Sequence, residues 1–471
     1  MLVAGPLALL GTLVAGPPGD LAPPAWRVAG LALWMALWWL TAVIPLEATA
    51  LLPIVILPLL GVGTLAEVTG AYADPVIFLF LGGFFIAATL ERWELHRRFA
   101  LSTVRLVGTD APRVVLAFLL ATAAVSMWIS NTATAVMMLP IAAAVAGRSA
   151  GDTSSGFQRA LLLSVAYGAS IGGVGTLIGT PPNAIFAANA RQLLGVEVGF
   201  GSWMLVGVPA AILMLAGCWL VLVRLFRVRG PVPGLAERVE REAAQLPPTG
   251  AGERFVTTVF VATAVAWVLR EPKILGDLRL PGLADLVPIS DTGIALVAAL
   301  LLFIVPLPRA RFRTALDWAT ARQVPWGVLL LFGGGLALAG AFAASGLTRW
   351  IGGGIEALHG APLAVIVLAC AALFIWLTEL TSNTATSALG MPLLAGVAGG
   401  LGVPAVPLMA AGALGASMAF MLPVATPPNA IVFGSGLINQ TDMAKAGVWM
   451  NLASMIVVTG VVLMRWGWGG P

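Results

Sequence analysis

The sequence predicts an all-α polytopic membrane protein with about eleven transmembrane helices and two re-entrant hairpins, arranged as an inverted-topology repeat. Three observations predict it. First, of 471 residues 59% are hydrophobic and 10% charged, with a mean hydropathy of +0.98. Soluble domains carry roughly 25% charged residues. A globule of this composition would expose too much apolar surface to water, which excludes a soluble enzyme, a secreted disulfide scaffold and a disordered chain. Second, four apolar runs are broken near their centres by short polar or proline-rich stretches. Third, those breaks recur in the same order in the two halves.

A spanning helix needs about 20 mostly apolar residues. Candidate spans lie near 2–16, 25–46, 49–62, 75–91, 158–194, 202–225, 255–269, 290–307, 325–344, 405–439 and 446–466. The first lacks a basic leader and reads as a span or re-entrant start rather than a signal peptide. Residues 114–146 and 362–398 are apolar but interrupted by Ser130-Asn131-Thr132 and Ser382-Asn383-Thr384. Each reads as two half-helices meeting at a polar tip, a re-entrant hairpin. The spans 158–194 and 405–439 are broken at Gly179-Thr180-Pro181-Pro182-Asn183 and Ala425-Thr426-Pro427-Pro428-Asn429. A proline pair removes two backbone donors and clashes with the preceding turn, so no continuous helix passes through it.

The connecting segments orient the chain. With eleven spans and an inside N-terminus, 18 of the 25 Lys and Arg residues fall on the inside, including Arg97-Arg98, Arg224/Arg227/Arg229 and Arg309/Arg311/Arg313. That asymmetry obeys the positive-inside rule. The net charge of +4 is too small in so apolar a chain to indicate nucleic-acid binding. Residues 92–110 mix basic and apolar positions at helical spacing and read as an amphipathic helix lying in the lipid interface. Residues 230–254, rich in Pro, Glu and Arg, read as a solvated cytoplasmic linker. The domain plan is therefore an N-terminal span (1–24), a first repeat (25–229), the linker and a second repeat (255–471). Trp26, Trp34, Trp38, Trp39, Trp203 and Trp449 read as interfacial belts.

The repeat is explicit. Phe80-Leu81-Gly82-Gly83 corresponds to Leu331-Phe332-Gly333-Gly334. Ser-Asn-Thr-Ala-Thr at 130–134 recurs at 382–386, and Thr-Pro-Pro-Asn-Ala-Ile at 180–185 recurs at 426–431. Each copy holds five spans and a hairpin, and an odd number of crossings makes the second copy enter from the opposite face. Inverted repeats of this kind are a common transporter architecture, with the site at the midplane where broken helices meet.

These breaks carry suitable chemistry. A half-helix N-terminus offers unpaired N–H groups to anions, and a half-helix C-terminus offers carbonyl oxygens to a small hard cation. Asn131 and Asn383 can donate to a carboxylate or ligate a cation. Thr132, Thr384, Thr180 and Thr426 offer hydroxyls. Ser126 and Thr378 lie four residues before Ser130 and Ser382, a spacing that pairs hydroxyls on one helix face. A lone membrane Ser or Thr usually bonds back to its own helix; duplication beside helix breaks argues otherwise. Glu379, a rare intramembrane carboxylate, is a candidate for coupling or proton sensing, or else pairs with a polar neighbour or snorkels. Its first-copy counterpart is Met127. Cys218 and Cys370 read as small core residues, and His96 and His359 have no partner at metal-ligand spacing. The Gly173–Gly179 run lacks the spacing of a dinucleotide fingerprint and reads as helix packing. With no Walker A, HExxH, GxSxG or catalytic dyad, the chain does not read as an enzyme.

Twin SNT motifs, each followed by a TPPNA loop, resemble the divalent anion/Na⁺ symporter family, which includes the di- and tricarboxylate carriers of bacteria. The likeness runs from Asp74 to the C-terminus. It implies a homodimer in a bacterial cytoplasmic (inner) membrane, with a scaffold domain and an elevator-like transport domain. It implies that Asn131, Thr132, Thr180 and Pro181, with Asn383, Thr384, Thr426 and Pro427, form the substrate site. It implies one Na⁺ held by Ser126, Ser130, Asn131 and Gly179, and a second by Thr378, Ser382, Asn383 and Ala425. The implied function is Na⁺-coupled symport of a C4-dicarboxylate such as succinate, malate or fumarate. Na⁺-independent exchange and sulfate or tricarboxylate transport are the alternatives. No basic residue beside either SNT could replace the cation, which favours symport. Sulfate-carrying relatives often have an inserted soluble domain, and this chain has no such insertion. In an elevator, 75–91 and 325–344 would line the moving boundary, with Gly83 and Gly334 permitting close approach and interfacial helices near 92–110 and 345–360 as links.

Overall fold

A computed structural model describes residues 2–107, 110–146, 156–231, 248–275, 278–307, 312–353 and 360–467, with 237, 240, 241, 244–246 and 310 between them. His359, Arg309, Arg311, much of the 230–254 linker and 354–359 of the 345–360 segment lie outside the described residues.

The first half of the chain contains α1 (Ala4–Val14), α2 (Pro23–Thr41), α3 (Leu46–Thr49), α4 (Leu52–Leu59), α5 (Leu65–Gly70), α6 (Pro75–Arg92) and α7 (Leu95–Val107). It continues with α8 (Ala111–Ser126), α9 (Asn131–Ala146), α10 (Gly156–Gly173), α11 (Pro181–Leu194) and α12 (Phe200–Leu225). The second begins with α13 (Ala251–Leu269), a hairpin of β1 (Lys273–Leu275) and β2 (Leu278–Leu280), α14 (Leu283–Leu286), α15 (Asp291–Ile304) and α16 (Trp318–Ala321). Then come α17 (Trp326–Ser345), α18 (Leu347–Gly353), α19 (Leu363–Thr378), α20 (Asn383–Leu401), α21 (Ala405–Ala416), α22 (Pro427–Gly434) and α23 (Gln440–Trp466).

By length and composition, six helical stretches among the described residues can cross a membrane: Leu65–Arg92, Phe200–Leu225, Ala251–Leu269, Trp326–Ser345, Asn383–Leu401 and Gln440–Trp466. Of the helices that flank the central breaks, α8, α9, α19 and α21 are shorter, whereas α20 is itself one of the six. Several boundaries differ from the sequence expectation. The 49–62 stretch is not one helix, because the chain breaks at Ala50-Leu51 and Pro53 lies in the first turn of α4, where its missing N–H has no helical partner to lose. The linker ends before 254, since α13 begins at Ala251. The β1–β2 hairpin pairs Lys273 with Leu280 and was not expected, because three-residue strands carry no readable alternation.

Packing reproduces the repeat. In the first copy α10 lies on α8, and in the second α21 lies on α19. The two copies also interlock: α11 packs against α20 and α21, and α22 packs against α9 and α10. Each broken helix thus completes itself on the other copy's hairpin. Close approach is enforced at Gly172, where an added Cβ would meet the Ala123 carbonyl oxygen at 2.2 Å.

Two expectations are corrected by this packing. Trp39 and Trp203 are interior residues rather than interfacial ones, 2% and 1% exposed. Their indole N–H groups donate to the Leu46 carbonyl at 3.0 Å and the Val174 carbonyl at 2.9 Å. A buried indole settles where such an acceptor exists. Trp449, 58% exposed, keeps its outward place. Gly334 does not face the hairpin core. A Cβ there would meet the Ala50 carbonyl oxygen at 2.5 Å, at the junction of α3 and α4. Its neighbour Gly335 is the one that faces the core, 2.8 Å from Ala388 of α20, while Gly83 meets Ile178 at 3.1 Å. One residue along a helix turns the side chain by about 100°.

Candidate functional site

The first hairpin ends α8 at Ser126, turns through 127–130 and restarts as α9 at Asn131. The Ser126 hydroxyl lies 2.8 Å from Asn131 Oδ1 and 2.7 Å from the carbonyl oxygen of Ala169 on α10. Those oxygens share one hydroxyl proton, which can serve only one acceptor at a time. The tip is seated on the end of α10. A Cβ at Gly173 would lie 2.5 Å from Asn131 Oδ1, and one at Gly179 would lie 2.3 Å from the Gly173 carbonyl oxygen. Ser126, Asn131, Gly173 and Gly179 therefore converge.

The second hairpin repeats the two contacts of the hydroxyl. The Thr378 hydroxyl lies 2.7 Å from Asn383 Oδ1 and 2.8 Å from the Ala416 carbonyl oxygen of α21. Ser126 and Thr378 do not bond back to their own helices. Among the described hydrogen bonds, none joins the hydroxyls at 130 and 382 to those at 126 and 378; α8 and α19 end at Ser126 and Thr378. Ser130 instead accepts the Ala133 N–H at 3.3 Å, capping α9.

The breaks face these tips. Thr180 and Thr426 are buried and extended, with φ of −146° and −138°, and Pro181 and Pro427 open α11 and α22. Extended backbone is what a residue before proline adopts. Thr426 accepts the Asn429 N–H at 3.3 Å, while Thr180 makes no such cap. Thr132 is exposed and Thr384 buried; Ala425 is buried. The copies are also covered differently. At the first tip Trp128 meets Phe260 of α13 edge-on at 5.0 Å, and Ile129 and Ile178 are buried. At the second, Leu380 is 70% and Val424 82% exposed.

A family model described as "Sodium:sulfate symporter transmembrane region" matches residues 2–469. The chain belongs to that family. Sodium-dependent dicarboxylate transporter SdcS of Staphylococcus aureus strain USA300 is 40% identical over 474 residues, covering 98% of this chain and 90% of that protein. The same protein from strain NCTC 8325 / PS 47 aligns equally. Among solved structures, the Alcanivorax borkumensis YdaH transporter, described as having an unusual topology, superposes with a TM-score of 0.55. It is 14% identical, and the match covers 94% of this chain and all of that one, a likeness of fold.

In this symporter-family chain, further residues matter that the sequence did not single out. Asn183 donates through Nδ2 to the carbonyls of Gly173 at 3.1 Å and Thr176 at 2.7 Å. Asn429 does the same to Ala419 at 3.2 Å and Leu422 at 3.1 Å. Both belong to the repeated Thr-Pro-Pro-Asn, so the signal was present; their task is to hold carbonyls that a broken helix leaves unpaired. Glu379 neither snorkels nor pairs with a cation among the described ion pairs. It is buried, and accepts the N–H groups of Phe420 at 2.7 Å, Met421 at 2.9 Å and Leu422 at 3.2 Å. Asn451 Nδ2 of α23 adds a fourth donor at 2.8 Å. The carboxylate shapes the unwound stretch between α21 and α22. The first copy uses neutral groups instead: the Thr176 hydroxyl on the Met127 carbonyl and the Trp203 indole on that of Val174. Tyr167 ties the copies together through its hydroxyl, donating to the carbonyls of Phe420 and Met443 in turn.

Proposed function

We propose that this protein is a secondary transporter, not an enzyme, that couples Na⁺ entry to uptake of a C4-dicarboxylate. The observation that carries this is the mirrored oxygen triad: Ser126, Asn131 and Ala169 in one copy, Thr378, Asn383 and Ala416 in the other. Each is rich in acceptors and short of protons, a donor set suited to a hard cation. With Oδ1 of each asparagine turned to its triad, the Nδ2 groups are left to donate to carboxylates. Two such amides, one per tip, match a substrate with a carboxylate at each end. Cations beside each tip offset the charge of a dianion, which is costly in a low-dielectric interior. Thr132, Thr180, Pro181, Thr384, Thr426 and Pro427 complete the anion site. Ser130, Gly179, Ser382 and Ala425 complete the cation sites. The sodium-dependent dicarboxylate relative supports the same substrate class.

The reading extends to mechanism. The hairpins are re-entrant, the N-terminus lies inside a bacterial inner membrane, and two copies form a homodimer. The interlocked α8–α11 and α19–α22 core moves as an elevator against α6 and α17.

The deciding measurement is uptake of labelled succinate, citrate and sulfate into proteoliposomes with and without an inward Na⁺ gradient. Succinate uptake only with Na⁺ is expected. Equal uptake without Na⁺ means exchange, and uptake of sulfate alone overturns the substrate. Ser126→Ala and Thr378→Ala should each raise the Na⁺ concentration for half-maximal uptake about five- to tenfold, as loss of about 1 kcal/mol from one hydroxyl requires, with the saturated rate changed less. Unchanged Na⁺ dependence in both removes the hydroxyls from the cation sites.

The elevator is tested at its glycines. Gly83→Leu and Gly335→Leu should slow exchange between the two faces while equilibrium substrate binding persists, because each glycine abuts the core. Gly334→Leu should instead lower thermal stability, since it abuts the Ala50 backbone. Normal turnover in both boundary variants contradicts a sliding interface there.

A further inference from the structure

We infer that Asn183 and Asn429 are positioning residues that set Na⁺ affinity by fixing the carbonyl ends of the two broken helices, an inference that rests on the Na⁺-coupled reading. Three features carry it. The geometry is identical in both copies: each amide nitrogen bonds the carbonyls seven and ten residues upstream. Both side chains are fully buried, and in both the Oδ1 atom has no hydrogen-bond partner. A buried acceptor left unpaired twice, at equivalent positions, shows that the amide is oriented by its donors rather than by its oxygen. Finally, the carbonyl held by Asn183 belongs to Gly173, whose Cα backs directly onto Asn131 Oδ1 and whose oxygen backs onto Gly179. A shift of Gly173 therefore displaces the triad without any change in its ligands.

The two clasps are not of equal weight. In the second copy the neighbouring N–H groups of 420–422 are also held by Glu379, and hydrogen bonds to a charged group are roughly twice as strong as neutral ones. In the first copy the supporting groups are neutral. Losing Asn183 should therefore disturb its cation site more than losing Asn429 disturbs the other.

The test uses purified full-length protein and Na⁺ itself. Cation binding to the folded state raises its melting temperature, so the Na⁺ concentration at half-maximal stabilisation reports affinity without transport. Asn183→Ala and Asn183→Asp should raise that concentration about tenfold, equivalent to one or two lost hydrogen bonds, and Asn429→Ala about threefold. Asn183→Ser, which keeps one donor, should fall between and carries the test if the alanine variant fails to fold. Dicarboxylate affinity at saturating Na⁺ should change less than twofold. Variants that melt lower at every Na⁺ concentration with an unmoved midpoint would make the residues structural props only, and overturn the inference. A wild-type protein that Na⁺ does not stabilise overturns the Na⁺-coupled reading itself, so the two failures are distinguishable.

Discussion

Asn131→Ala and Asn383→Ala are each expected to reduce Na⁺-driven succinate uptake to the level of empty liposomes while the protein still elutes as a folded species. Each amide has two tasks. Its oxygen sits 2.8 or 2.7 Å from the hydroxyl of the triad, and its nitrogen faces the substrate side of the tip in the proposed site. Losing a cation ligand together with a charge-assisted donor removes about 3–6 kcal/mol, more than a hundredfold in occupancy. Folding should survive, because Asn131 and Asn383 are the first residues of α9 and α20 and are only half-buried. Asp at either position separates the tasks: it keeps an oxygen for the cation but opposes a carboxylate. Its uptake should be lost while Na⁺-dependent stabilisation persists. Uptake above a tenth of wild type in either alanine variant contradicts a site built from both tips.

Glu379→Ala is expected to lower thermal stability more than any other single substitution in the core. It would leave three backbone N–H groups, that of Phe420 buried and those of Met421 and Leu422 partly so, and the Asn451 amide without their acceptor. Removing one side of a buried charged network costs about 3–5 kcal/mol. Glu379→Gln keeps the oxygen shared by Phe420, Met421 and Asn451 and loses only the bond to Leu422, so it should be markedly milder. Met127→Ala, at the equivalent first-copy position, should show no comparable loss, because that copy uses the Met127 carbonyl and not its side chain. Melting of detergent-solubilised protein, followed by size-exclusion of the surviving fraction, measures the series. Alanine and wild type melting together would mean that the unwound stretch is held by other contacts.

The local chemistry of the chain determined the membrane class, the two polar tips, the two proline breaks and their duplication. These are properties of contiguous residues. A proline pair cannot continue a helix wherever it is placed, and an apolar run of 20 residues needs lipid or a protein core around it. Repetition was legible for the same reason, since identical hexapeptides need no structure to be matched. The tertiary structure decided which atoms meet. Ser126 pairs with Asn131 rather than Ser130 because α8 ends at Ser126, and helix ends are set within a residue or two by packing. Gly335 rather than Gly334 faces Ala388, a choice fixed by helix rotation against a partner more than 50 residues away. Trp203 went inward because the broken helix left the Val174 carbonyl free to receive it. Glu379 found its donors 41 to 43 and 72 residues further along, on segments whose proximity no spacing rule encodes. A buried polar group is satisfied by whatever the fold brings within 3 Å, so its type is legible in the sequence and its partner is not.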